Sequence, residues 1–410
     1  MSKGIDVDTI YVDYGKAFDK VDHVILMQKL ALYGIGGKYH AWIRNFLHDR
    51  KQRVYLNNCY SYETAVISGV PQGSVLGPLL FVLFINDMPE IIQSSSLQTF
   101  ADDTKLAHPI SSVADKLSLQ EDLNAVIKWS ARNNMQLNDK KFELICHRAK
   151  ISVSAFVSIV RELPFNNEYF TYDATNGETI EPTNAVRDLG IIVDPQLCWD
   201  NHISHIVQQG RKMCFWILNA FKTRDKETML LLFKSLVRCR LEYCCELWDR
   251  YNIKTINQIE QIQRKFISKI DGAKQMNYYE RLAAFKLLSL QRRRERQRII
   301  LVWKIKNGFV RNDISFEFEI NKRTAQEKAV IKPMPKIKGK VLTIYEESFI
   351  IHSAKIWNKV PSIIKRETNI ISFKCKLDDW LSTITDEPPV SGYNHTTKNS
   401  ILDHCKSTER

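Results

Sequence analysis

The first half of the chain contains short hydrophobic runs that are bounded by polar or turn-forming residues. Residues 9–12 form a β-branched and aromatic run that predicts a buried strand. Residues 97–100 and 104–107 flank Ala-Asp-Asp, which is typical of a β-hairpin. Helical spacing predicts helices at 21–32, 40–47, 78–85 and 113–134, the last with Val113, Leu117, Leu123, Ile127 and Trp129 facing inward. Further strands are predicted at 53–56, 63–67, 143–146, 169–172, 179–180 and 189–193.

After Asp194-Pro195 the pattern changes to long helical segments that are rich in Lys and Arg. Their predicted ranges are 202–220, 226–240, 254–270 and 278–306, and two shorter helices follow at 348–357 and 372–381. A Lys-Pro-Met-Pro-Lys string at 332–336 predicts a loop. The polar tail after residue 389 is expected to be loosely ordered.

Charge is concentrated in the helical half of the chain. The whole chain carries a net charge of +13, and residues 211–306 contain 23 Lys and Arg against 9 Asp and Glu. Such a concentrated surplus indicates a polyanionic partner that is bound through phosphate neutralisation. The alternative, a set of solvated helix faces, would be expected to include more compensating Glu.

The remaining composition favours a reducing compartment. Nine cysteines show no repeated C-x-x-C spacing, and the irregular set Cys198, His202, His205 and Cys214 disfavours a zinc site. The start of the chain lacks an apolar signal-peptide core, and the longest apolar run, 79–85, is too short for a membrane span. We therefore expect a protein that is not secreted and has no membrane partner.

Three aspartates are the strongest chemical signal. Asp13 follows the predicted strand at 9–12, while Asp102 and Asp103 lie in the predicted hairpin. Carboxylates brought together repel one another unless divalent cations neutralise them, and Mg²⁺ prefers such oxygen ligands. Two cations held about 3.5–4 Å apart activate an attacking oxygen and stabilise a leaving one in phosphoryl transfer. A structural role in turns is the alternative for these residues.

Four motifs carry a resemblance to a known family. They are Tyr-Val-Asp-Tyr-Gly-Lys-Ala-Phe-Asp at 11–19, Ser-Gly-Val-Pro-Gln-Gly-Ser at 68–74, Thr-Phe-Ala-Asp-Asp-Thr at 99–104 and Arg-Asp-Leu-Gly at 187–190. Their order and spacing resemble a non-LTR (LINE-type) retrotransposon reverse transcriptase, over residues 5 to 385. The third motif has Phe100 where that family more often has Tyr.

The resemblance implies an α+β fold of the right-hand polymerase type. It places a palm of antiparallel sheet and helices at 1–200, a basic helical thumb at 201–275 and a basic, helical C-terminal extension with a polar tail at 276–410. The family has a fingers region before the first strand and an endonuclease further upstream. We expect an N-terminally truncated chain without either, and the sequence leaves open whether a second chain supplies fingers.

The resemblance also implies the roles of the motif residues around the nucleotide. Asp13, Asp102, Asp103 and the main-chain oxygen of Tyr14 would bind two Mg²⁺ ions, with Mn²⁺ as a substitute. Phe18 would lie beneath the sugar and exclude a 2′-hydroxyl, although it would also serve as an ordinary core residue. Gln72 and Gly73 would contact the incoming nucleotide. Lys141, or the adjacent Lys140, would protonate the departing pyrophosphate; a solvated lysine is the alternative.

Nucleic-acid contacts follow from the same resemblance. Asp188, Leu189 and Gly190 would form the primer grip, with Leu189 anchoring the turn in the core. Basic residues of the thumb would follow the phosphates of the duplex: Arg211, Lys212, Arg238, Arg240, Arg264 and Lys265. Residues 292–298 form a further arginine-rich stretch that would serve either as a phosphate-binding helix face or in nuclear entry.

We therefore expect an RNA-directed DNA polymerase with an RNA template, a DNA primer or target and dNTPs as partners. It would act in the nucleus and cytoplasm as a ribonucleoprotein. The alternatives are a catalytically inactive remnant that binds nucleic acid, a truncated copy that folds poorly alone, and an RNA-dependent RNA polymerase. Phe18 and Ala101 disfavour the last.

Overall fold

The computed structural model describes residues 5–148, 171–175, 177–249, 252–310, 316–320, 327–331, 348–392 and 398–404. The chain divides into two compact units, which consist mainly of residues 3–186 with 194–196, and of residues 187–193 with 197–410. In the described part of the chain, no helix has the length and apolarity that crossing a bilayer requires. The predicted loop at 332–336 lies outside the described residues.

The first unit is built around one antiparallel sheet. Its strand order is β6-β7-β1-β8, so β1 is a central strand. Short hairpin strands and four main helices complete the unit, and its elements in chain order are β1 (Asp6–Val12), α1 (His23–Leu32), α2 (Gly37–Leu47), β2 (Lys51–Gln52), β3 (Tyr55–Leu56), β4 (Cys59–Tyr60), β5 (Thr64–Ala65), α3 (Leu76–Ile85), β6 (Ser96–Phe100), β7 (Asp103–Ile110), α4 (Val113–Arg132), β8 (Glu143–His147), β9 (Tyr172–Asp173) and β10 (Thr179–Ile180).

The core of this unit joins the sheet to helices α1, α3 and α4. Ile10 of β1, Leu26 of α1, Phe84 of α3 and Leu123 of α4 are all fully buried within it. Helix α4 begins with a capping box between Ser112 and Asp115, in which each residue satisfies a backbone N–H of the other. The prediction that Val113 and Leu117 face inward is wrong, since both residues are half or more exposed. They precede Leu119, the first buried residue of α4.

The second unit is mostly helical. It begins in a short hairpin, and a π-helical segment (Phe233–Arg238) interrupts the predicted helix at 226–240. The elements in chain order are β11 (Val186–Asp188), β12 (Ile191–Val193), α5 (Asp200–Ala220), α6 (Lys226–Leu232), α7 (Cys239–Glu242), α8 (Cys245–Trp248), α9 (Ile253–Ile267), α10 (Tyr278–Ala284), α11 (Leu290–Lys306), β13 (Phe318–Ile320), β14 (Glu327–Ala329), α12 (Phe349–Lys359), α13 (Ser362–Lys365), α14 (Ile370–Ser382) and α15 (Ile401–His404).

Two apolar clusters stabilise the second unit. One is formed by α5, α6, α9 and α10, and the other by α11, α12 and α14. The helix predicted at 278–306 is two helices, because Ser289 caps the start of α11 by accepting a hydrogen bond from Arg292 N. The tail is less loose than predicted: Ile401 is buried, and Ser400 Oγ donates to Glu295 over 2.6 Å.

Candidate active site

The register of the sheet brings the three aspartates to one end of it. Val12, the last residue of β1, pairs with Thr104 of β7, and Phe100 of β6 pairs with Asp103. Asp13 therefore leaves β1 at the end where the β6–β7 hairpin turns, and one further step of the register would place it opposite Asp103. The predicted hairpin is confirmed, with residues 101 and 102 as its two-residue turn.

Ala101 makes this turn in an unusual conformation. Its φ is +52°, in the left-handed region that a residue with a side chain rarely adopts. Asp102 follows directly, so its carboxyl group is at the tip of the hairpin, and Asp103 is the first residue of β7. A short, strained turn therefore fixes where the two acidic residues leave the sheet.

Asp13 is held from two sides. Its main-chain oxygen accepts a hydrogen bond from Asn138 N over 2.9 Å, and Lys141 Nζ lies 3.4 Å from its Oδ2. The Oδ2 atom of Asp13 is buried and accepts no hydrogen bond within the described part of the chain. A buried carboxylate oxygen that keeps unused acceptor capacity beside further carboxylates is chemically suited to a hard divalent cation.

The carboxylates are near the same end of the sheet but do not form a complete metal-binding cluster among the described residues. Among the residues that the structure describes, no three Asp, Glu, His or Cys side chains are close enough together to hold a metal ion. The ligand types fit Mg²⁺ or Mn²⁺, because all are oxygens. The main-chain oxygen of Tyr14 also fits. Tyr14 forms a β-bridge with Leu137, and the two hydrogen bonds of this bridge are made by Gly15 N and Asp13 O, so neither of them uses the Tyr14 oxygen.

The Tyr14 side chain points into the core, whereas its main-chain oxygen is a candidate metal ligand. Its ring is buried, and its hydroxyl group shares a hydrogen bond of 3.2 Å with Ser130 Oγ of α4. Burial raises the pKa of Tyr14 to about 12. The residue after Asp13 is therefore anchored in the protein interior, which fixes the backbone at the end of β1.

Glu143 is a site residue that the sequence analysis missed. It pairs with Tyr11 in the β1–β8 ladder, two residues before Asp13. Burial raises its pKa, and the negative charge of Asp13 raises it further. Its position two residues after Lys141 was the available signal, but only the strand register shows that it lies beside the catalytic candidates.

The Gly-Val-Pro-Gln-Gly loop packs directly on the turn that follows Asp13. Gly69 N donates to Val21 O, Val70 N donates to Phe18 O, and Gln72 Nε2 donates to Asp19 Oδ1 over 3.1 Å. Gly69 has a φ of +84°, and a Cβ atom there would lie 2.7 Å from the Asp19 Cα. Only glycine allows so close an approach of the two backbones.

Phe18 has a clear packing partner. Its ring stacks on Phe81 of α3 with centroids 4.2 Å apart, and it is partly buried against the core. Gln72 and Gly73, by contrast, are at the solvent side of the loop, and Gly73 has a φ of +81° with open space where a Cβ would be. The structure thus brings Phe18, Asp19 and Gln72 together at one surface of the first unit.

The proposed primer grip is a hairpin turn of the second unit. Asp188 ends β11, and Leu189 and Gly190 turn the chain with φ of +45° and +86°. Tyr243 Oη donates to Leu189 O over 3.0 Å and so fixes the turn. The expectation that Leu189 is anchored in the core is wrong, because its side chain is 42% exposed.

The six basic thumb residues fall into two groups. Arg211, Lys212, Arg240 and Lys265 are exposed on their helices. Arg238 is mostly buried and its Nε lies 3.7 Å from Glu242, while Arg264 donates to the main-chain oxygen of Ser391 over 2.7 Å. Four of the six are therefore exposed, of which Arg240 also donates through Nε to Leu236 O over 3.2 Å, and the other two are bound to protein groups.

The phosphate-binding interpretation of residues 292–298 is wrong. Arg292, Arg294 and Arg298 are at most 1% exposed, and they contact protein groups: Arg294 Nε lies 2.7 Å from Asp249 Oδ1, and Arg298 donates to Asp249 O over 2.9 Å. Arg296 pairs with Asp378. These arginines hold the second unit together and do not face solvent.

Comparisons with known proteins cover the part of the chain that contains this site. Residues 9–192 match the family described as reverse transcriptase (RNA-dependent DNA polymerase). The probable RNA-directed DNA polymerase from the transposon X-element of Drosophila melanogaster is 27% identical over 273 residues, which are 65% of this chain and 28% of that protein. The RNA-directed DNA polymerases from the mobile element jockey of Drosophila funebris and Drosophila melanogaster are 27% and 28% identical over 274 residues, which are 64% of this chain and 28% of each relative.

Residues 9–192 therefore resemble a reverse transcriptase domain of the LINE type. This domain contains Asp13, Asp102 and Asp103, and the chain spans just over a quarter of the length of the curated relatives that it matches. A telomerase from Candida tropicalis aligns over 92% of this chain and 53% of its own with a TM-score of 0.36 and 12% identity, which is too low to show a shared fold.

Proposed function

We propose that the reverse transcriptase domain of this chain adds deoxynucleotides to a primer 3′-hydroxyl group opposite an RNA template. The single observation that carries the proposal is the sheet register that puts Asp13 and the Asp102–Asp103 turn at one end of the sheet, within the residues that match the family. Divalent cations bound there would activate the attacking oxygen and stabilise the leaving one. Asp13, Asp102 and the Tyr14 carbonyl would hold two Mg²⁺ ions, or Mn²⁺, with Asp103 at the edge of the set.

The reaction forms one bond and breaks another. The primer 3′-oxygen bonds to the α-phosphorus of the dNTP, the bond from that phosphorus to the pyrophosphate oxygen breaks, and the 3′-hydroxyl proton is lost to solvent. Lys141 would supply a proton to the departing pyrophosphate, since its Nζ already lies at the site beside Asp13. Burial and the charge of Asp13 together raise the pKa of Glu143.

The surface around Phe18 suits the incoming nucleotide. The stacked pair Phe18–Phe81 would limit the space beneath the sugar, and a 2′-hydroxyl group would not fit. Gln72, which now donates to Asp19, would exchange this hydrogen bond for one to the nucleotide, with Gly73 allowing close backbone approach. The Asp188–Gly190 turn would hold the primer strand, and the exposed thumb residues Arg211, Lys212, Arg240 and Lys265 would follow the phosphates without reading sequence. We further propose that the protein acts as a ribonucleoprotein of nucleus and cytoplasm.

Primer extension tests this function. Purified full chain is mixed with a labelled DNA primer annealed to an RNA template, the four dNTPs and Mg²⁺ or Mn²⁺, beside the double variant Asp102→Asn/Asp103→Asn. We expect extension by the wild type and none by the variant, with equal binding of the duplex by both. Absence of extension with salt-sensitive duplex binding retained would overturn the proposal in favour of an inactive nucleic-acid-binding remnant.

A further inference from the structure

A long hairpin between helix α2 and the Gly-Val-Pro-Gln-Gly loop takes no part in the proposed reaction. Residues 51–66 fold into two successive antiparallel ladders, β2 with β5 and β3 with β4. Asn57 and Asn58 form the tip with φ of +49° and +62°, a conformation in which asparagine is common. Every residue from 51 to 65 is exposed, so the hairpin projects from its unit.

The two ladders are offset by one residue. Tyr55 pairs with Tyr60 near the tip, whereas Gln52 pairs with Thr64 further down, which leaves one extra residue on the returning strand between Ser61 and Thr64. Such a bulge twists the strand and re-aims its side chains. Tyr62 lies within it and is 96% exposed.

One face of the hairpin carries neighbouring planar groups. The Arg53 guanidinium lies 4.1 Å from the ring centre of Tyr60, and the rings of Tyr55 and Tyr60 are 4.6 Å apart. The Tyr55 hydroxyl group donates to Asn58 Oδ1 over 2.7 Å, which holds this ring in place. Tyr55 and Tyr60 are each more than half exposed as residues, although burial of such rings is favourable.

We infer that this hairpin face, formed by Arg53, Tyr55 and Tyr60, binds single-stranded RNA. Exposed aromatic rings and an arginine plane accept stacked bases, and the arginine charge attracts the phosphates between them. Lys51 pairs with Glu63 over 3.4 Å and is partly neutralised, whereas Arg53 is stacked on a ring and keeps its charge for a phosphate. Charge complementarity therefore favours a polyanion over an apolar partner. The inference deepens the proposed function, because its RNA template is such a strand.

Equilibrium binding tests the inference without any catalysis. The full chain is titrated into a fluorescein-labelled 20-nucleotide oligouridylate without dNTPs or divalent cations, and anisotropy gives the Kd. Tyr60→Ser should weaken binding about tenfold, while Tyr60→Phe, which keeps the ring, should restore wild-type affinity. Arg53→Ala should also lower the slope of log Kd against log salt concentration by about 0.7, and the tyrosine variants should leave that slope unchanged.

Crosslinking supplies a second and direct measurement. The same RNA carrying 4-thiouridine is irradiated with the protein, and adducts are located by peptide mass spectrometry. We expect adducts on the peptide that contains Tyr55, Tyr60 and Tyr62. The inference would be overturned if all variants bound the RNA with equal affinity and adducts formed only on other peptides. It would also be overturned if sedimentation velocity showed a dimer that the Tyr60→Ser substitution dissociates without changing the affinity for RNA.

These outcomes separate the inference from the proposed function. A wild-type chain that extends primers while Tyr60→Ser binds RNA normally would refute the hairpin alone. A chain that crosslinks through the hairpin but never extends a primer would refute only the polymerase proposal. Circular dichroism of Tyr60→Ser and Tyr60→Phe shows whether the two variants are equally folded. Because Tyr60→Phe keeps the ring, it separates an effect of losing the ring from an effect of misfolding.

Discussion

At the scale of single residues, Lys141 differs from an ordinary surface lysine. Two thirds of its side chain is exposed, yet its ammonium group lies 3.4 Å from the partly buried carboxyl group of Asp13. A surface ion pair of this kind adds little to stability. Proton donation at the site is the role that we propose for it.

We expect Lys141→Ala to slow single-nucleotide incorporation by about 100-fold, because a positioned proton donor contributes roughly that factor. The adjacent Lys140→Ala is the matched control and should keep a rate near that of the wild type. Rapid-quench measurement of one incorporation step on an RNA template checks both. Equal rates for the two variants would assign Lys141 to the solvated surface.

Two glycines of the Gly-Val-Pro-Gln-Gly loop offer a matched pair for stability. Both have positive φ, but a Cβ at Gly69 would lie 2.7 Å from backbone of Asp19, whereas at Gly73 it would meet open space. Gly73→Ala should therefore cost about 1 kcal/mol of unfolding free energy from strain alone, and Gly69→Ala clearly more. Urea unfolding of the two variants measures the difference. Equal costs would show that the loop does not pack on Asp19.

The aspartates could be placed from sequence because strand ends and a two-residue turn have local signals. The expected hairpin at 97–107 is confirmed, and Asp13 does follow a buried strand. Glu143 and the Lys141–Asp13 pair could not be placed in this way. They depend on the register between β1 and β8, which joins residues about 130 positions apart.

At the scale of elements, helix α11 shows where composition misleads. Its arginine-rich sequence is typical of a solvent-facing helix, but three of its arginines are buried against acidic and main-chain groups from distant segments. The sequence alone does not reveal that Asp249, Glu242 and Asp378 pair with this helix. Charged residues become core residues only when such partners are brought together.

Glu260 of α9 belongs to the same buried network and makes stability depend on pH. Its side chain is fully buried and accepts hydrogen bonds from the Tyr278 hydroxyl group and Gln291 N. Burial raises the pKa of Glu260 from 4.5 to about 7, although the Tyr278 hydrogen bond and the charge of Arg294 oppose this rise. Between these two values the folded chain binds more protons than the unfolded chain, so stability falls as the pH rises from 4.5 through 7.

Glu260→Gln should remove this loss. Relative to the wild type, the variant should gain stability between pH 5 and pH 8, by about 3 kcal/mol at most, since each unit of pKa shift corresponds to about 1.4 kcal/mol. The exposed Glu227→Gln is the control and should show no such gain. Thermal unfolding at both pH values measures the effect, and a constant difference between Glu260→Gln and the wild type would contradict it.

At the scale of the whole molecule, the chain divides into two compact units, and the assignment of palm, thumb and extension stays a prediction. The reverse transcriptase match ends at residue 192, close to the boundary at residue 186, and the basic helices lie in the second unit. The charge surplus identified in residues 211–306 overstates the surface available to phosphates, because several of its arginines are buried. Class and motif order could be predicted from sequence; which basic residues face solvent could not.

The most direct test of the central claim is single-nucleotide incorporation on RNA templates that differ only in the first templating base. Each of the four dNTPs is offered to the wild type, to Asp13→Asn and to the matched control Asp19→Asn. The Asp19 carboxylate accepts a hydrogen bond from Gln72 and does not lie at the end of β1. We predict that the wild type adds only the complementary deoxynucleotide, that Asp13→Asn adds none, and that Asp19→Asn keeps measurable incorporation. Incorporation that ignores the template, or that persists in Asp13→Asn, would contradict the assignment of this site.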